Sequence, residues 1–237
     1  MSELLKIDHL SCGYGDRPVL DGVNLSVRAG ETVLLAGPNG CGKSTLLKAV
    51  IGELTPTAGD SAFGGESLAG KSVEERVRAG IGYLRQTDNI FPGQTVEENL
   101  QLAGMSLPKA SYAAARDMML SLFDGLRSKL GQRAGALSGG QRQALALAMV
   151  FLRPQRLYLL DEPTAGLSPK SAIEIIGQIR HFAAENASRS ILLVEHRLDL
   201  LMWVAHVVFM MQGIVKIETS DLRRFLSTNW LETNYFL

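Results

Sequence analysis

Apolar and polar residues alternate along two stretches near the start of the chain. Residues 4–10 and 19–27 follow a two-residue period, and the sequence Cys-Gly-Tyr-Gly-Asp occupies residues 12–16 between them. A two-residue period places successive side chains on opposite faces of a sheet, and a cluster of glycine and aspartate favours a turn. The pattern therefore predicts two strands separated by a turn.

Other stretches are apolar throughout or apolar with helical spacing. Continuous apolar runs, which are typical of buried strands, occupy residues 31–36, 80–84, 157–160, 190–194, 207–211 and 214–217. The predicted helices cover residues 43–52, 96–103, 109–126, 138–152 and 169–184, and a further helix begins at Leu198. Strands that alternate with helices indicate an α/β fold with a largely parallel central sheet.

The segment from residue 87 to residue 137 has a different character. It contains two of the predicted helices and no run with the pattern of a strand. A chain of 237 residues suits one domain with a small attached part. We therefore expect a single domain whose core comprises residues 1–86 and 138–237, with residues 87–137 inserted as a helical subdomain.

Charge and cysteine content narrow the class of protein. The 24 Lys and Arg residues balance the 24 Asp and Glu residues, so the formal net charge is zero. Proteins that bind duplex DNA usually carry a basic surplus, so we expect no nucleic-acid partner. The two cysteines, Cys12 and Cys41, are too few for a disulfide framework.

The N-terminus and the most apolar run of the chain indicate where in the cell the protein is expected. The N-terminus lacks the basic region and apolar run of a signal peptide. Residues 200–211 are the most apolar, but this run is shorter than the ~20 residues needed to span a bilayer, and it contains His206. We interpret the run as a buried helix end that leads into a strand, and His206 as a structural residue. The expected location is the cytoplasm, with any membrane role exerted through a partner.

A glycine-rich sequence lies between the strand predicted at residues 31–36 and the helix that follows it. It reads Gly37, Pro38, Asn39, Gly40, Cys41, Gly42, Lys43, Ser44 and Thr45, which matches the P-loop pattern G-x-x-x-x-G-K-[ST]. Glycines let backbone N–H groups turn toward an anion, and the helix N-terminus adds positive potential. Lys43 would contact the β- and γ-phosphates and Ser44 would bind Mg²⁺, so the motif predicts ATP with magnesium.

Two adjacent carboxylates end the strand predicted at residues 157–160. Successive residues at a strand end face opposite ways, so Asp161 and Glu162 can take different roles. We expect Asp161 to hold the Mg²⁺ shell and Glu162 to polarise the water that attacks the γ-phosphate. Without the P-loop, such a pair is equally well explained as a solvated turn.

A second candidate anion site opens the helix predicted at residues 138–152. Ser138 is a good N-cap, and the glycines that follow leave N–H groups accessible to a phosphate. The sequence Leu-Ser-Gly-Gly-Gln at residues 137–141 resembles the signature motif of ABC ATPases. The order of P-loop, signature, acidic strand end and distal histidine is similar to that family along nearly the whole chain.

The resemblance implies an architecture and an assembly. It implies a RecA-like P-loop NTPase core with an N-terminal antiparallel β-subdomain and an inserted helical subdomain. In that family two subunits enclose two ATP molecules, and the signature of one subunit caps the ATP held by the other. Ser138, Gly139, Gly140 and Gln141 would therefore contact ATP across a dimer with a second, identical or different, ABC ATPase subunit. Further implied partners are transmembrane permease subunits, which would hold the protein at the inner face of the cell membrane, and a substrate-binding protein.

Further site residues follow from the same resemblance. Tyr14 occupies the position of an aromatic residue that stacks on adenine, although packing is the alternative. Gln86 matches a residue that senses Mg²⁺ and the γ-phosphate, and His196 matches a catalytic switch histidine that contacts the γ-phosphate. Residues 163–168 resemble the loop through which the subunits touch. Many members carry Asp where this chain has Ser168.

Cys41 has two interpretations within the P-loop. The simpler one is a small side chain that the loop tolerates. The other is a thiolate of low pKa, favoured by the helix N-terminus and Lys43, at which thiol reagents would inactivate the protein.

The transported substrate is indicated only by local resemblance. Residues 91–100, 132–138 and 165–169 look like those of ATPases that serve importers of branched-chain amino acids, urea and amides. The pairs Arg85-Gln86 and His196-Arg197 are not the commonest choices in those ATPases. A lipopolysaccharide-exporting ATPase is an alternative, and a soluble ABC ATPase acting on DNA or ribosomes is a weaker one, because the chain has neither a tandem domain nor a basic tract.

One stretch is a candidate for contact with a permease. Gln86, the predicted γ-phosphate sensor, leads into the helical insert. We therefore expect the surface that contacts the permease around Gln86 and residues 87–100. Ile90, Phe91 and Val96 would either fill a groove against a permease helix or pack within the subdomain.

Overall fold

The protein is described by a computed structural model that covers residues 3–196 and 203–221. The helix predicted from Leu198 and the C-terminal residues 225–237 lie outside the described residues. In chain order the elements are β1 (Glu3–Tyr14), β2 (Arg17–Arg28), β3 (Thr32–Ala36), α1 (Lys43–Ile51), β4 (Ala58–Phe63), β5 (Glu66–Ser67), α2 (Val73–Ala79), β6 (Ile81–Leu84), α3 (Val96–Gly104), α4 (Lys109–Leu122), α5 (Gly139–Phe151), β7 (Leu157–Asp161), α6 (Pro169–Ala184), β8 (Ser190–Val194), β9 (His206–Met211) and β10 (Ile214–Thr219).

The central sheet has the strand order β10-β9-β3-β8-β7-β6. Strands β9, β3, β8, β7 and β6 are parallel, and β10 pairs antiparallel with β9 at the edge. Every residue of β3, β7 and β8 is buried, as expected when both faces of a parallel sheet are covered. The predicted α/β fold with a largely parallel sheet is confirmed.

The second sheet is antiparallel, with the order β2-β1-β4-β5. It confirms the implied N-terminal β-subdomain and corrects the turn predicted at residues 12–16. Strand β1 continues to Tyr14 and pairs with Arg17, so only two residues form the turn. The strands close this tightly because Gly13 lacks a side chain: a Cβ there would lie 2.1 Å from the Arg17 carbonyl oxygen.

The helix predicted at residues 109–126 ends earlier in the structure. Phe123 leaves the helical region with φ −116° and ψ 60°, and its ring is buried in the core. The chain then continues as a 3₁₀ segment, Asp124–Lys129. A single regular helix would carry Phe123 away from this packing position, so tertiary contacts override helical periodicity here.

Sequence periodicity missed the segment that forms β4, β5 and α2. Arg76 on α2 is buried, and its guanidinium donates to the Ala49, Val50 and Leu68 carbonyl oxygens at 2.8, 2.9 and 2.7 Å. Two of these carbonyls belong to the last turn of α1, where backbone acceptors lack helical partners. Arg76 thereby ties this segment to the helix that follows the P-loop.

The hydrophobic core has one layer on each face of the central sheet. Leu34 and Leu160 face a layer built with α5 and α6, whereas their neighbours Leu35 and Leu159 face the layer with α1 and the antiparallel sheet. Val96 on α3 belongs to the first layer, so the helical insert shares the core of the sheet. The boundaries at residues 87 and 137 stay a prediction.

Within residues 3–196 and 203–221, every helix is too short or too polar to cross a bilayer. His206 begins β9, at the end of the sheet opposite the P-loop, and its Nδ1 lies 2.8 Å from Glu31 Oε1. The structural role predicted for His206 agrees with this pairing.

Candidate active site

The P-loop connects β3 to α1 with backbone angles that favour glycine. Gly42 has φ +107°, and a Cβ there would lie 2.7 Å from Leu20 Cδ2. Gly37 has φ +150°, and a Cβ there would lie 2.2 Å from the Met210 carbonyl oxygen. Both positions require glycine, so the motif predicted from sequence forms a tight loop against the sheet.

The helix after this loop begins without a side-chain cap. Gly42 is the N-cap of α1, and the first turn carries no acidic residue. By contrast, α2, α3 and α5 each begin with a capping box in which a serine or threonine and a Glu or Gln bond to backbone N–H groups. The N-terminal N–H groups of α1 are therefore free of side-chain caps and can bind an anion.

Lys43 is buried within the loop, with its side chain turned toward the loop backbone. Its Nζ donates to the Gly37 and Pro38 carbonyl oxygens at 2.8 and 3.0 Å. Asn39 and Gly40 are exposed at the loop tip, whereas Thr45 is buried on α1. The ammonium group thus lies where a phosphate cradled by this loop would meet it.

Cys41 is a buried thiol beside that ammonium group. Its Sγ lies 4.0 Å from Lys43 Nζ. Burial raises the pKa of the Cys41 thiol, and the opposing effect of Lys43 is smaller. The structure therefore supports the small tolerated side chain and corrects the alternative of a thiolate with a low pKa.

Ser44 and Asp161 meet at the end of β7. The Ser44 hydroxyl donates to Asp161 Oδ1 at 2.9 Å, and Asp161 is buried. Burial raises the pKa of Asp161, while the hydrogen bond from Ser44 opposes that rise. These hard oxygen donors fit Mg²⁺, which commonly takes one or two protein oxygens and fills its other positions with water and phosphate. Gln86 lines the same cavity, and its role as a metal sensor stays a prediction.

Glu162 accepts hydrogen bonds from the ends of two other strands. Gln86, which follows β6, donates from Nε2 to Glu162 Oε2 at 2.8 Å. His196, which follows β8, lies with Nε2 2.9 Å from Glu162 Oε1. The hydrogen bond with His196 lowers the pKa of Glu162. The structure thus brings together three residues that the sequence separates by up to 110 positions.

The backbone of Glu162 is unusual for a residue with a side chain. Its φ is +49°, in the left-handed region that glycine and asparagine tolerate best. The peptide is held there because Glu162 N donates to the Val194 carbonyl oxygen at 3.0 Å and Ala165 N donates to the Glu162 carbonyl oxygen at 3.0 Å. Backbone strain of this kind is often concentrated at functional residues.

Tyr14 presents an exposed ring next to α1. Its exposed fraction is 47%, and Lys48 Nζ lies 5.8 Å from the ring centre. The packing alternative for Tyr14 requires burial, so the exposed ring agrees better with stacking on a ligand that lies against α1. Stacking itself stays a prediction.

The signature residues surround the N-terminus of α5. Ser138 Oγ accepts from Gln141 N at 3.3 Å, and Gln141 Oε1 accepts from Ser138 N at 3.0 Å. This capping box leaves the N–H groups of Gly139 and Gly140 without side-chain partners. Ser138, Gly140 and Gln141 line a cavity that shares no residue with the one formed by Ser44, Gln86 and Asp161. Within one chain the signature and the P-loop are therefore separate sites.

The predicted dimer-contact loop uses Ser168 locally. Ser168 is the N-cap of α6, and its Oγ accepts from Ser171 N at 3.2 Å. Gly166 has φ +72°, which allows the loop to turn before that helix. Ser168 therefore has a role in folding that is independent of any second subunit.

Sequence reasoning missed Glu195, which follows β8 next to His196. Its side chain is buried, and Oε1 accepts from both the N–H and the hydroxyl of Thr164, at 2.8 and 2.6 Å. Its Oε2 accepts from His196 N at 3.1 Å. An acidic residue directly after an apolar strand is a signal that was available, but the contact with Thr164 spans 31 positions and no local pattern reveals it.

Comparisons with known proteins agree with these motifs. A profile of the ABC transporter family matches residues 20–165. A probable branched-chain amino acid transport ATP-binding protein, LivF, from Archaeoglobus fulgidus is 38% identical over 83% of this chain and 83% of its own length. A lipoprotein-releasing system ATP-binding protein, LolD, from Cereibacter sphaeroides is 36% identical over 91% of this chain and 100% of its own length. The crystal structure of an ATP-binding cassette of an ABC transporter in its ADP conformation has a TM-score of 0.86 at 28% identity, and covers 100% of this chain and 99% of that one.

The family profile spans more than half of the chain, and the fold matches along its whole length. Residues 37–45 and 138–141 and the carboxyl end of β7 lie within the matched range. The chain therefore belongs to the ABC transporter family, and it is an ATP-binding subunit that hydrolyses ATP to drive transport.

Proposed function

We propose that this subunit powers the import of branched-chain amino acids, or of related small polar solutes such as urea and amides, through a separate membrane permease. The likeness to the ATP-binding protein of branched-chain amino acid transport supports this substrate class. The alternative is an exporter ATPase, and the full-length likeness to a lipoprotein-releasing ATP-binding protein favours it.

The catalytic proposal rests on the convergence of Gln86, Glu162 and His196 beside Ser44 and Asp161. Glu162 is held as a carboxylate that can orient a water molecule, and His196 and Lys43 contact the γ-phosphate. The P-loop backbone from Gly37 to Thr45 and the Tyr14 ring bind the rest of ATP.

A bound Mg²⁺ would neutralise developing charge on the phosphates. Ser44, Asp161 and Gln86 are the residues proposed to hold it. The hydroxyl and carboxylate oxygens of Ser44 and Asp161 already meet at 2.9 Å, so little rearrangement of the chain is needed. Chelation with EDTA should therefore abolish hydrolysis, and added Mg²⁺ should restore it.

The second half of the site is proposed to come from another ABC ATPase subunit, identical or different. The support is the separation of the two cavities within one chain. The N–H groups of Gly139 and Gly140 would bind the γ-phosphate held by the partner's P-loop. Isolated protein should therefore hydrolyse ATP with a rate that rises faster than linearly with protein concentration.

Attachment to the inner face of the cell membrane is proposed to run through residues 87–100. Val96 is fully buried and Ile90 packs against the core, so the packing alternative holds for both. Phe91, by contrast, is 52% exposed. Asn99 fixes its backbone: Phe91 N donates to Asn99 Oδ1 at 2.8 Å, and Asn99 Nδ2 donates to the Phe91 carbonyl oxygen at 3.0 Å.

The Phe91→Asp variant tests this attachment. Because Phe91 is half exposed, the variant should fold and keep the basal ATPase rate, but lose co-purification with the permease and stimulation by it. Phe91→Leu is the matched control that keeps an apolar side chain. Normal transport by Phe91→Asp would show that the permease binds elsewhere.

The substrate class is tested by reconstituting the subunit with its permease in liposomes. If the subunit powers import, a substrate-binding protein loaded with leucine should raise the ATPase rate. Leucine should then cross the membrane from the side that holds the substrate-binding protein to the side that holds ATP. A rate that responds to lipoprotein or lipopolysaccharide instead would favour the exporter. Absence of any membrane partner in a pull-down would favour a soluble ABC ATPase.

A further inference from the structure

The carboxylate of Glu195 joins two segments that the reaction requires. One oxygen binds Thr164 in the predicted dimer-contact loop, and the other binds the backbone of His196. The contacts with Thr164 are buried and the contact with His196 is partly buried, with Glu195 exposed by only 2% and Thr164 by 6%. Buried hydrogen bonds to a carboxylate are among the stronger ones in proteins, so the two segments are firmly linked.

The link closes a circuit around Glu162. Thr164 lies two residues after Glu162 in the chain, and the turn between them is fixed by the bond from Ala165 N to the Glu162 carbonyl oxygen. From Thr164 the circuit runs through Glu195 to His196, whose ring returns to Glu162 Oε1 at 2.9 Å. A displacement of Thr164 must therefore move Glu162 or His196, or break one of these hydrogen bonds.

We propose that Glu195 is a positioning residue that makes hydrolysis depend on the dimer-contact loop. Contact with a second subunit would set the position of Thr164, and Glu195 would pass that position to His196. This inference rests on the proposed roles of Glu162 and His196. It adds that the switch histidine responds to the partner through Glu195 as well as to ATP directly.

The chemistry explains why a carboxylate is needed. Three donors converge on Glu195, and only a group with two acceptor oxygens satisfies all three. In Glu195→Gln one oxygen becomes an NH₂ group, so a donor then faces Thr164 or His196 N. The shape is kept and one side of the link is lost.

The test uses steady-state ATPase kinetics of the full-length protein over a range of protein and ATP concentrations. Glu195→Gln should lower kcat about 10- to 100-fold while the KM for ATP stays within about twofold. Thr164→Val should lower kcat several-fold, because the backbone N–H still binds Glu195, and Thr164→Ser should restore the rate. In the double variant Glu195→Gln with Thr164→Val, the losses should be markedly less than additive.

Two further measurements separate positioning from folding. The ATP affinity of Thr164→Val should match that of Thr164→Ser, although loss of the buried hydroxyl bond should lower its melting temperature. In a Glu162→Gln background, which is expected to trap the ATP-bound dimer, Glu195→Gln should still dimerise with ATP in size-exclusion chromatography. A structural role would instead lower ATP affinity and dimerisation together with kcat.

Three results would overturn the proposal: a kcat for Glu195→Gln within about twofold of wild type, additive losses in the double variant, or equal rates for Thr164→Val and Thr164→Ser. Failure of the catalytic proposal gives a different result, because Glu162→Gln alone would then hydrolyse ATP at the normal rate. Slow hydrolysis by Glu162→Gln with normal hydrolysis by Glu195→Gln overturns only the positioning role.

Discussion

The helices α1 and α5 begin in different ways, although a phosphate is proposed to bind at both. The N-terminus of α1 follows a loop whose backbone binds the buried Lys43, and no side chain caps it. The N-terminus of α5 is exposed and capped by its own Ser138 and Gln141. We call residues 37–45 the phosphate-binding region and residues 137–143 the signature region.

The difference indicates how each region becomes functional. The phosphate-binding region is assembled by the fold of one chain and includes Lys43 and Ser44, which are proposed to bind phosphate and Mg²⁺, so we expect it to bind ATP by itself. The signature region is already stable without a ligand and supplies mainly backbone N–H groups, so it adds little until ATP is presented to it. Affinity should therefore be governed by the first region, and turnover by both.

The largest effect is expected for Glu162→Gln. This variant leaves the N-termini of α1 and α5 intact and removes the carboxylate that binds Gln86 and His196. General-base residues contribute about 10²- to 10⁴-fold, so hydrolysis should fall by that factor while ATP affinity is retained. Phosphate release and equilibrium nucleotide binding measure the two quantities. The dimer should accumulate with ATP in size-exclusion chromatography. Wild-type turnover would place the catalytic base elsewhere.

The Ser138→Arg variant breaks the signature region alone. The bulky cation should block the partner's γ-phosphate and lower turnover about 100-fold or more, the cost typical of losing preorganised donors, while ATP affinity of the monomer is unchanged. Ser72→Arg is the matched control, because Ser72 caps α2 with the same kind of box formed with Glu75. If Ser138→Arg and Ser72→Arg lost the same turnover, the loss would be explained by a missing helix cap, and Ser138 would not mark a phosphate site.

The Lys43→Ala variant breaks the phosphate-binding region alone. Hydrogen bonds from a charged group commonly contribute enough that ATP affinity should fall about 10- to 100-fold. Lys109→Ala removes the same charge from the exposed start of α4, and it should weaken binding much less. Isothermal titration with ATP measures both. Matching affinities would mean that only the net charge of the protein matters.

The smallest effect concerns Asp161 and stability without nucleotide. Burial raises the pKa of Asp161 in the folded protein, so its ionised form destabilises that state, and stability falls as the pH rises from the ordinary Asp pKa of about 3.9 through the folded value. Asp161→Asn should therefore raise the melting temperature at neutral pH by about 2 °C or more. The gain should shrink as the pH approaches 3.9, and added Mg²⁺ and ATP should stabilise the variant less than wild type. A lower melting temperature would mean that the carboxylate stabilises the fold.

Sequence patterns predicted the parts of this fold whose signals are local and strong. Strands β3, β7 and β8 are short apolar runs because they are buried on both faces, and α6 was placed at its observed bounds by its periodicity and Pro169. The phosphate-binding region was predicted from the spacing of its glycines, because the backbone at Gly37 and Gly42 tolerates no side chain. These elements carry the active site at one edge of the sheet.

The missed segment had weaker or unused signals. Strand β4 buries only two of its six residues, so it lacks apolar alternation. Helix α2 buries Arg76 and no apolar residue, although the spacing of Ser72 and Glu75 marks its start. The bridge from Thr164 to Glu195 and the pairing of Glu162 with His196 depend on how distant strands align. Neither is contained in a local pattern.

The backbone conformation and the proposed chemistry at position 162 favour different residues. The backbone, with φ at +49°, is most easily occupied by glycine or asparagine, whereas water activation calls for a carboxylate on a longer side chain. Variants sorted for thermal stability alone should drift toward glycine or asparagine at this position and lose activity. Engineering this subunit for heat resistance should therefore begin at residues other than this one.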